Sequence, residues 1–158
     1  MKKFFITFSA CMLIAVAVYS QEYQTGIGFR GGLSNGLTFK HFISSEKAVE
    51  GLLSARWGGF NVTGLYEIHA NAFDAIGLYW YYGFGGHVGS WNTKYDSNRN
   101  YNNSSIIGVD GIVGLEYNIG QIPFNISLDY KPGLNLIGQT GFWGDEFALS
   151  IRYVWGNR

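Results

Sequence analysis

Apolar and polar residues alternate with a period of two along nearly the whole chain, the spacing of strands with one face in each of two environments. Eight such segments follow one another. The first sets Tyr23, Thr25, Ile27, Phe29 and Leu33 against Gln24, Gly26, Gly28, Arg30 and Ser34. Asn35-Gly36 then signals a two-residue hairpin. The second strand has Leu37, Phe39, His41 and Ile43 opposite Thr38 and Lys40, and the third has Val49, Gly51, Leu53, Ala55 and Trp57 opposite Glu50, Ser54 and Arg56. After a turn at Gly58-Gly59, the fourth sets Phe60, Val62, Tyr66, Ile68 and Ala70 against Asn61, Thr63, Glu67 and His69.

The fifth strand pairs Leu78, Trp80, Tyr82, Phe84 and Val88 with an opposite face of Gly77, Tyr79, Tyr81, Gly83, Gly85 and His87. A polar stretch, Asn92–Ser105, reads as the longest loop. Strand six has Ile107, Val109, Val113, Leu115 and Tyr117 opposite Asp110, Gly114 and Glu116. Strand seven has Phe124, Ile126, Leu128 and Tyr130 opposite Asn125, Ser127, Asp129 and Lys131, and its phase continues past Pro132 through Leu134 and Leu136. Pro132 lacks a donor, which places it near the rim of a sheet. The eighth has Phe147, Leu149, Ile151, Tyr153 and Trp155 opposite Glu146, Ala148, Ser150 and Arg152.

Charge then decides which environment each face meets. The strands carry eleven formal charges: Arg30, Lys40, Glu50, Arg56, Glu67, Asp110, Glu116, Asp129, Lys131, Glu146 and Arg152. All lie opposite the apolar face. A soluble sandwich or lipocalin-like barrel has the reverse, with apolar residues inside and charges outside. Lipid explains the empty apolar face, because an Arg or Lys at a bilayer midplane costs about 2–4 kcal/mol. Lipid also forbids an open sheet edge. The expected fold is therefore all-β: a closed, up-and-down, antiparallel transmembrane barrel of about eight strands. With the N-terminus periplasmic, the turns Ser44–Lys47, Asn71–Ala75 and Asn118–Gln121 are short and the long Asn92–Ser105 lies outside, the usual arrangement. Aromatics gather near strand ends (Trp57, Phe60, Trp91, Tyr117, Trp143, Tyr153, Trp155), as interfacial girdles require.

Residues 1–20 read as a cleaved signal peptide, with Lys2 and Lys3 before the apolar run Phe4–Tyr19 and Ser20 at the cleavage site, leaving 21–158 as the barrel domain. Cys11, the only cysteine, falls within it, and the apolar Met12–Val16 after it argues against lipidation. The remaining chain has neither disulfides nor thiolate ligands. Removing Lys2 and Lys3 leaves 9 basic and 11 acidic residues, a net charge of −2, which offers nucleic acid no basic patch. The 23 glycines, 18% aromatic and 14% charged residues suit many short strands.

The segments Arg56-Trp57-Gly58-Gly59-Phe60, Thr63-Gly64-Leu65-Tyr66-Glu67, Trp80-Tyr81-Tyr82-Gly83-Phe84-Gly85-Gly86-His87, Ser127-Leu128-Asp129-Tyr130-Lys131-Pro132 and Ala148-Leu149-Ser150-Ile151-Arg152-Tyr153 carry a resemblance. Over essentially all of 21–158 the chain resembles the small eight-stranded barrels of the OmpA membrane-domain and OmpX kind, and more closely uncharacterised small barrels of Bacteroidota. The resemblance implies an integral protein of the Gram-negative outer membrane, porin-like in fold, in contact with outer-membrane lipid and inserted by the barrel-assembly machinery. It brings no activity. The last strand resembles the aromatic-ended signal read by that machinery, although Gly156-Asn157-Arg158 follow Trp155.

Several motifs invite chemistry. Gly26-Ile27-Gly28-Phe29-Arg30-Gly31 spells G-x-G-x-x-G, but inside a strand with no helix to present amides to a phosphate; small residues in a narrow barrel explain it better. Asp96, Asn98 and Asn100 open like a calcium loop, yet Tyr101 stands where its glycine belongs and Ile107 where its glutamate belongs. Glu67 and His69 share the inner face of strand four, and Tyr81 and His87 that of strand five, while His41 with Ser44 and Ser45 is the other candidate for lipid-acyl chemistry. No G-x-S-x-G elbow accompanies them. The expectation is a non-catalytic barrel, without cofactor or metal, whose inner charges pair into a plug because eight strands leave room for little but side chains. An ion channel or a lipid-modifying enzyme is the alternative. A surface partner would meet Asn92–Ser105 or the Lys131–Glu146 hairpin, where Leu134, Leu136, Phe142 and Trp143 are apolar for exposed positions.

Overall fold

Alternating side chains fold here into ten antiparallel strands: β1 (Thr25–Gly32), β2 (Asn35–Phe42), β3 (Lys47–Arg56), β4 (Gly59–Asn71), β5 (Leu78–Thr93), β6 (Asn102–Ile119), β7 (Phe124–Tyr130), β8 (Gly133–Ile137), β9 (Gly141–Trp143) and β10 (Phe147–Trp155). The computed structural model describes residues 23–56, 59–93, 102–138 and 140–156, with only the backbone for 56, 91–93 and 102–104. Residues 1–20, with Cys11, and Trp57, Gly58, Asp96, Asn98 and Asn100 lie outside the described residues.

The hydrogen-bonded order β5-β4-β3-β2-β1-β10-β7-β6 is closed by a β5–β6 pairing of sixteen residue pairs from Leu78↔Tyr117 to Thr93↔Asn102. β7 and β8 both pair with β6 in one register from Val113↔Tyr130 to Gly108↔Asn135, beyond which it shifts at Ile107, and so form a single wall strand. β9 and β10 follow as the eighth. The fold is a closed antiparallel barrel of eight wall strands, with no helix among the described residues.

Within β1 to β10 the face assignments hold at the residues whose side chains are described. Ile27, Phe29, Leu37, Phe39, Val62, Trp80, Phe84, Val113, Leu128 and Ile151 are exposed, while Arg30, Lys40, Glu50, Glu67, Asp110, Glu116, Asp129, Lys131 and Arg152 are buried. Among the described residues the exposed formal charges are Glu46, Lys47, Asp74 and Asp145, all in or beside turns. Three large inner groups are seated opposite glycines: Tyr81 faces Gly114, His87 faces Gly108 and Glu67 faces Gly83. A Cβ at Gly114 or Gly108 would overlap the ring opposite it.

Four expectations are corrected. The first hairpin turns at Leu33-Ser34 rather than Asn35-Gly36, which begin β2. Gly36 is needed for close approach, since a Cβ there would overlap the Leu53 carbonyl oxygen. Tyr23 is buried rather than outward: the chain bends at Gln24 before β1 starts, which takes Tyr23 out of the strand's phase. Pro132 sits within the sheet, with β8 continuing to Ile137, and its carbonyl still accepts from Gly111 N at 2.9 Å. Asn92–Ser105 is not all loop, because Asn92 pairs with Asn103 and Ser90 with Ser105 in a hairpin arm. Backbone bonds form whatever the side chains, so Asn and Ser did not prevent pairing.

The interior also contains an apolar layer of Leu52, Leu65, Tyr81 and Ile112. A second small cluster, Tyr23, Phe42 and Ala48, closes the end that carries the chain's N-terminus and the turns at 43–46, 72–77 and 120–123. This is the near end below. The far end carries the turn at 33–34 and the strand ends at Arg56, Gly59, Thr93, Asn102, Ile137 and Gly141.

Candidate functional site

Lys40 and Arg152 anchor the near half of the interior. Lys40 projects inward from β2, and its Nζ lies 2.8 Å from Glu67 Oε2, 3.3 Å from Glu116 Oε2 and 3.5 Å from Glu50 Oε2. It also stands over the Tyr81 ring, 4.1 Å from the centroid. Arg152 from β10 pairs with Glu50 and lies 3.9 Å from Glu116. Its Nε donates to Thr38 Oγ1 at 2.9 Å, and Nη1 donates to Ser127 Oγ at 2.8 Å and Asn125 Oδ1 at 3.3 Å. The Tyr23 hydroxyl donates to Glu116 Oε1 at 2.9 Å, and His69 Nε2 lies 3.0 Å from Glu67 Oε2. None of these groups reaches solvent, so Coulomb attraction between them is screened far less than on a surface.

Arg30 and Lys131 organise the far half. Arg30 Nη1 donates to Asp129 Oδ2 at 2.7 Å, and its Nη2 lies 3.7 Å from Glu146. Lys131 Nζ joins Asp110, 3.0 Å away, to Glu146, 3.3 Å away. Asp110 also meets His87 Nδ1 at 2.7 Å, while His87 Nε2 is 2.8 Å from Asn135 Oδ1. The Tyr81 hydroxyl donates to Asp129 at 3.2 Å, so this one ring, under Lys40 on its face and bonded to Asp129 at its tip, connects the two halves.

Ten of the eleven strand charges therefore meet in a linked set drawn from β1 to β4, β6, β7, β10 and the residues flanking them. The eleventh, Arg56, has a side chain outside the described residues. Periodicity placed these charges on one face but could not say which ones would meet, since the partners are 10 to 116 residues apart. Tyr23 and Phe42 were missed; the only signal for them was Ala48, a small inner residue opposite Phe42 in register. His41 is half-buried on the outer face, with Nδ1 2.9 Å from Thr25 Oγ1. The G-x-G-x-x-G glycines lie in β1, where a Cβ on Gly28 would overlap the Ile151 carbonyl oxygen while one on Gly31 would meet nothing nearer than 3.8 Å. No group of three or more His, Cys, Asp or Glu that could hold a metal occurs among the described residues.

Of the four apolar far-end residues, Leu134, Leu136 and Phe142 are exposed, and Trp143 is half-buried. They belong to wall strands β8 and β9 rather than to a free loop: Leu134 pairs with both Val109 and Phe142.

No family model matches the sequence, and no curated protein matches it. Among solved structures, the chain is similar to the crystal structure of the N-terminal β-barrel domain of Pseudomonas aeruginosa OprF, with a TM-score of 0.68 at 13% identity, over 84% of this chain and 98% of that one. The likeness extends to the barrel fold, which at that identity is all it carries.

Proposed function

We propose that this chain is an integral outer-membrane barrel, exported by its signal peptide, whose ion-paired interior is a structural plug rather than a conduit or a catalytic site. The observation that carries the reading is the segregation of charge. Every described strand position facing outward is uncharged apart from Lys47 at the first residue of β3, while the inner charges are buried in contact with one another. Water would reverse that arrangement. In lipid it is the low-energy one, since the outer face meets hydrocarbon and the inner charges must then find partners. The OprF-like fold supports the location.

The non-catalytic part of the reading draws on His87. Both ring nitrogens of His87 are engaged, by Asp110 and Asn135, leaving neither to take a proton from a nucleophile. Specific contacts then fall to the far end, the only part of such a barrel that meets neither lipid nor the periplasm.

Refolding into lipid vesicles tests the reading. The protein should insert, run faster on gels unheated than boiled, and give no sustained large conductance in planar bilayers. Failure to insert would end the membrane assignment. A steady open conductance would end the plug while leaving the barrel intact.

A further inference from the structure

Midway up the outer wall, β3, β4 and β5 share a furrow. Gly51 pairs with Gly64 and Gly64 with Gly86, so three glycines lie side by side on a face that otherwise carries large apolar groups. A Cβ at Gly51 or Gly64 would meet nothing within 4 Å, and one at Gly86 only the Gly108 carbonyl oxygen at 3.1 Å. The floor is therefore bare backbone. Leu53, Val62 and Val88 stand along one side, and Val49, Tyr66 and Phe84 along the other. We infer that this furrow, with the near rim below it, holds one glycerophospholipid whose headgroup carries a phosphate and, beyond it, an amine. The inference rests on the reading of the outer wall as lipid-facing.

Charge at the lower mouth selects the headgroup. Lys47 is the one formal charge on outward strand positions among the described residues, and its ammonium has no ion-pair partner. Its neighbours on the wall are Ile43 on β2's side, Ile68 on β4 and Val49 along β3, all apolar. His41 pairs with Val49, which makes it the diagonal neighbour of Lys47, about 7–8 Å away. The Thr25 hydroxyl lies 2.9 Å from His41 Nδ1, and by donating there it leaves the ring proton on Nε2. Ammonium and imidazole are thus two donors that one phosphate can bridge. Glu46 lies one residue further out, exposed, in a turn fixed to β4 by the 2.7 Å bond from His69 N to its carbonyl oxygen. A carboxylate just outside the cation disfavours a headgroup of lone negative charge. It suits one whose phosphate is followed by an ammonium.

Barrel closure sets the direction of the furrow. Paired residues followed from Ser150 through β1 to β5 reach β6 at Ile106, whereas followed through β7 they reach it at Glu116. Because β6 runs towards the near end, each row climbs towards the far end on passing from β3 to β5. The furrow therefore opens at Gly51, about 13 Å along β3 from Lys47, and rises away from the rim through Gly64 to Gly86. That is the path of an acyl chain leaving a phosphate at the rim, and it begins within one leaflet's half of a core about 30 Å thick.

The test is native mass spectrometry of the full chain, refolded in a non-ionic detergent and titrated with lipid. The panel is dipalmitoyl phosphatidylethanolamine, dipalmitoyl phosphatidylglycerol, dipalmitoylglycerol and dihexanoyl phosphatidylethanolamine, with sodium phosphate as competitor. The barrel should retain one dipalmitoyl phosphatidylethanolamine, saturably and ahead of the other lipids. Lys47→Gln should weaken that binding about tenfold, as loss of one charged hydrogen bond does. Glu46→Gln should remove the preference over phosphatidylglycerol. Gly64→Leu fills the furrow where a Cβ meets nothing, so it should weaken the dipalmitoyl lipid and leave the dihexanoyl one unchanged. Leu128→Ala, on β7 at the opposite wall, should change neither. Heat-modifiable gel mobility of each variant shows that the barrel is folded. The inference is overturned if no lipid saturates at one per barrel, if dipalmitoylglycerol is held as tightly, or if sodium phosphate displaces the lipid at equal concentration. Equal retention of the two headgroups by the wild type overturns it too, as does wild-type binding by folded Lys47→Gln or Gly64→Leu. Vesicle insertion is scored separately, so a protein that inserts and retains no lipid sinks this inference alone.

Discussion

The Lys40 ammonium lies 2.8 Å from the Glu67 carboxylate, with both side chains wholly removed from solvent. Two further carboxylates, Glu50 and Glu116, stand within 3.5 Å of the same nitrogen. One cation thus serves three acids, and Arg152 shares two of them. Removing Lys40 leaves buried carboxylates facing one another without their common partner. Lys40→Met should therefore destabilise the folded barrel by about 3–5 kcal/mol, read as a fall in the urea midpoint of vesicle-inserted protein. Lys40→Met combined with Glu67→Gln removes one charge of each sign and should recover part of the loss. If the double variant is no better than the single, charge compensation is not what Lys40 supplies.

Leu128 and Ser127 are adjacent in β7 and face opposite worlds. Leu128 is 56% exposed on the outer wall, whereas Ser127 is 1% exposed and accepts from Arg152. Leu128→Arg should cost about 2–4 kcal/mol wherever that wall meets the membrane midplane, and should slow or block insertion. In detergent micelles, which let an arginine reach water more easily, the same variant should fold better than in vesicles. Equal insertion of Leu128→Arg and wild type would remove the lipid-facing assignment.

Two glycines separate a steric requirement from mere tolerance. A Cβ at Gly28 would overlap the Ile151 carbonyl oxygen on the neighbouring strand, while a Cβ at Gly51 would meet nothing within 4 Å. Gly28→Ala should force β1 and β10 apart at the seam between the first and last wall strands, and lower the yield of heat-modifiable barrel. Gly51→Ala should be neutral or stabilising by a few tenths to about 1 kcal/mol, because it restricts the unfolded chain. Equal behaviour of the two variants in refolding assays would contradict the close approach at Gly28.

Those glycines also mark where sequence reasoning stops. The barrel was legible because one environment per face produces a period of two, and because eleven charges on one face leave few folds that can accommodate them. Register was less legible. Asn35-Gly36 has turn chemistry, yet the turn lies just before it, since Gly36 answers to the Leu53 carbonyl oxygen across the sheet. The pairing of Arg30 with Asp129, 99 residues away, depends on closure of β1 onto β10 and on the stagger of the sheet, which no local pattern encodes. Tyr23 shows a third limit. Its alternation with Thr25 and Ile27 is fortuitous, because the strand begins only at Thr25, and the ring turns inward to pack edge-on against Phe42 with centroids 5.1 Å apart.

The far-end residues Phe142 and Trp143 are neighbours in β9 with different surroundings, and separating them decides what their apolar surface is for. Phe142 is 70% exposed and lies beside Leu134, which in turn pairs with Val109 on the outer wall. That placement continues the apolar outer wall upward, whereas a partner-binding role would need Phe142 to stand clear of the bilayer. Trp143 instead lines the far-end cavity with Asp110, Lys131 and Glu146. β9 is only three residues long and its one strand partner among the described residues is β8, so its order depends on these side chains more than on its ladder. Phe142→Ser should leave barrel assembly intact, because β10, the longer part of the eighth wall strand, pairs with β1 and β7 without β9. It should make the β8–β9 hairpin more sensitive to protease in detergent, with a smaller effect in vesicles only if lipid covers this surface in the wild type. Loss of protease protection in Phe142→Ser that is identical in detergent and in vesicles would place Phe142 above the membrane and favour a soluble or surface-bound partner. A variant that fails to assemble at all would show that β9 is needed to close the wall, contrary to the β7–β10 and β1–β10 pairings that close it here.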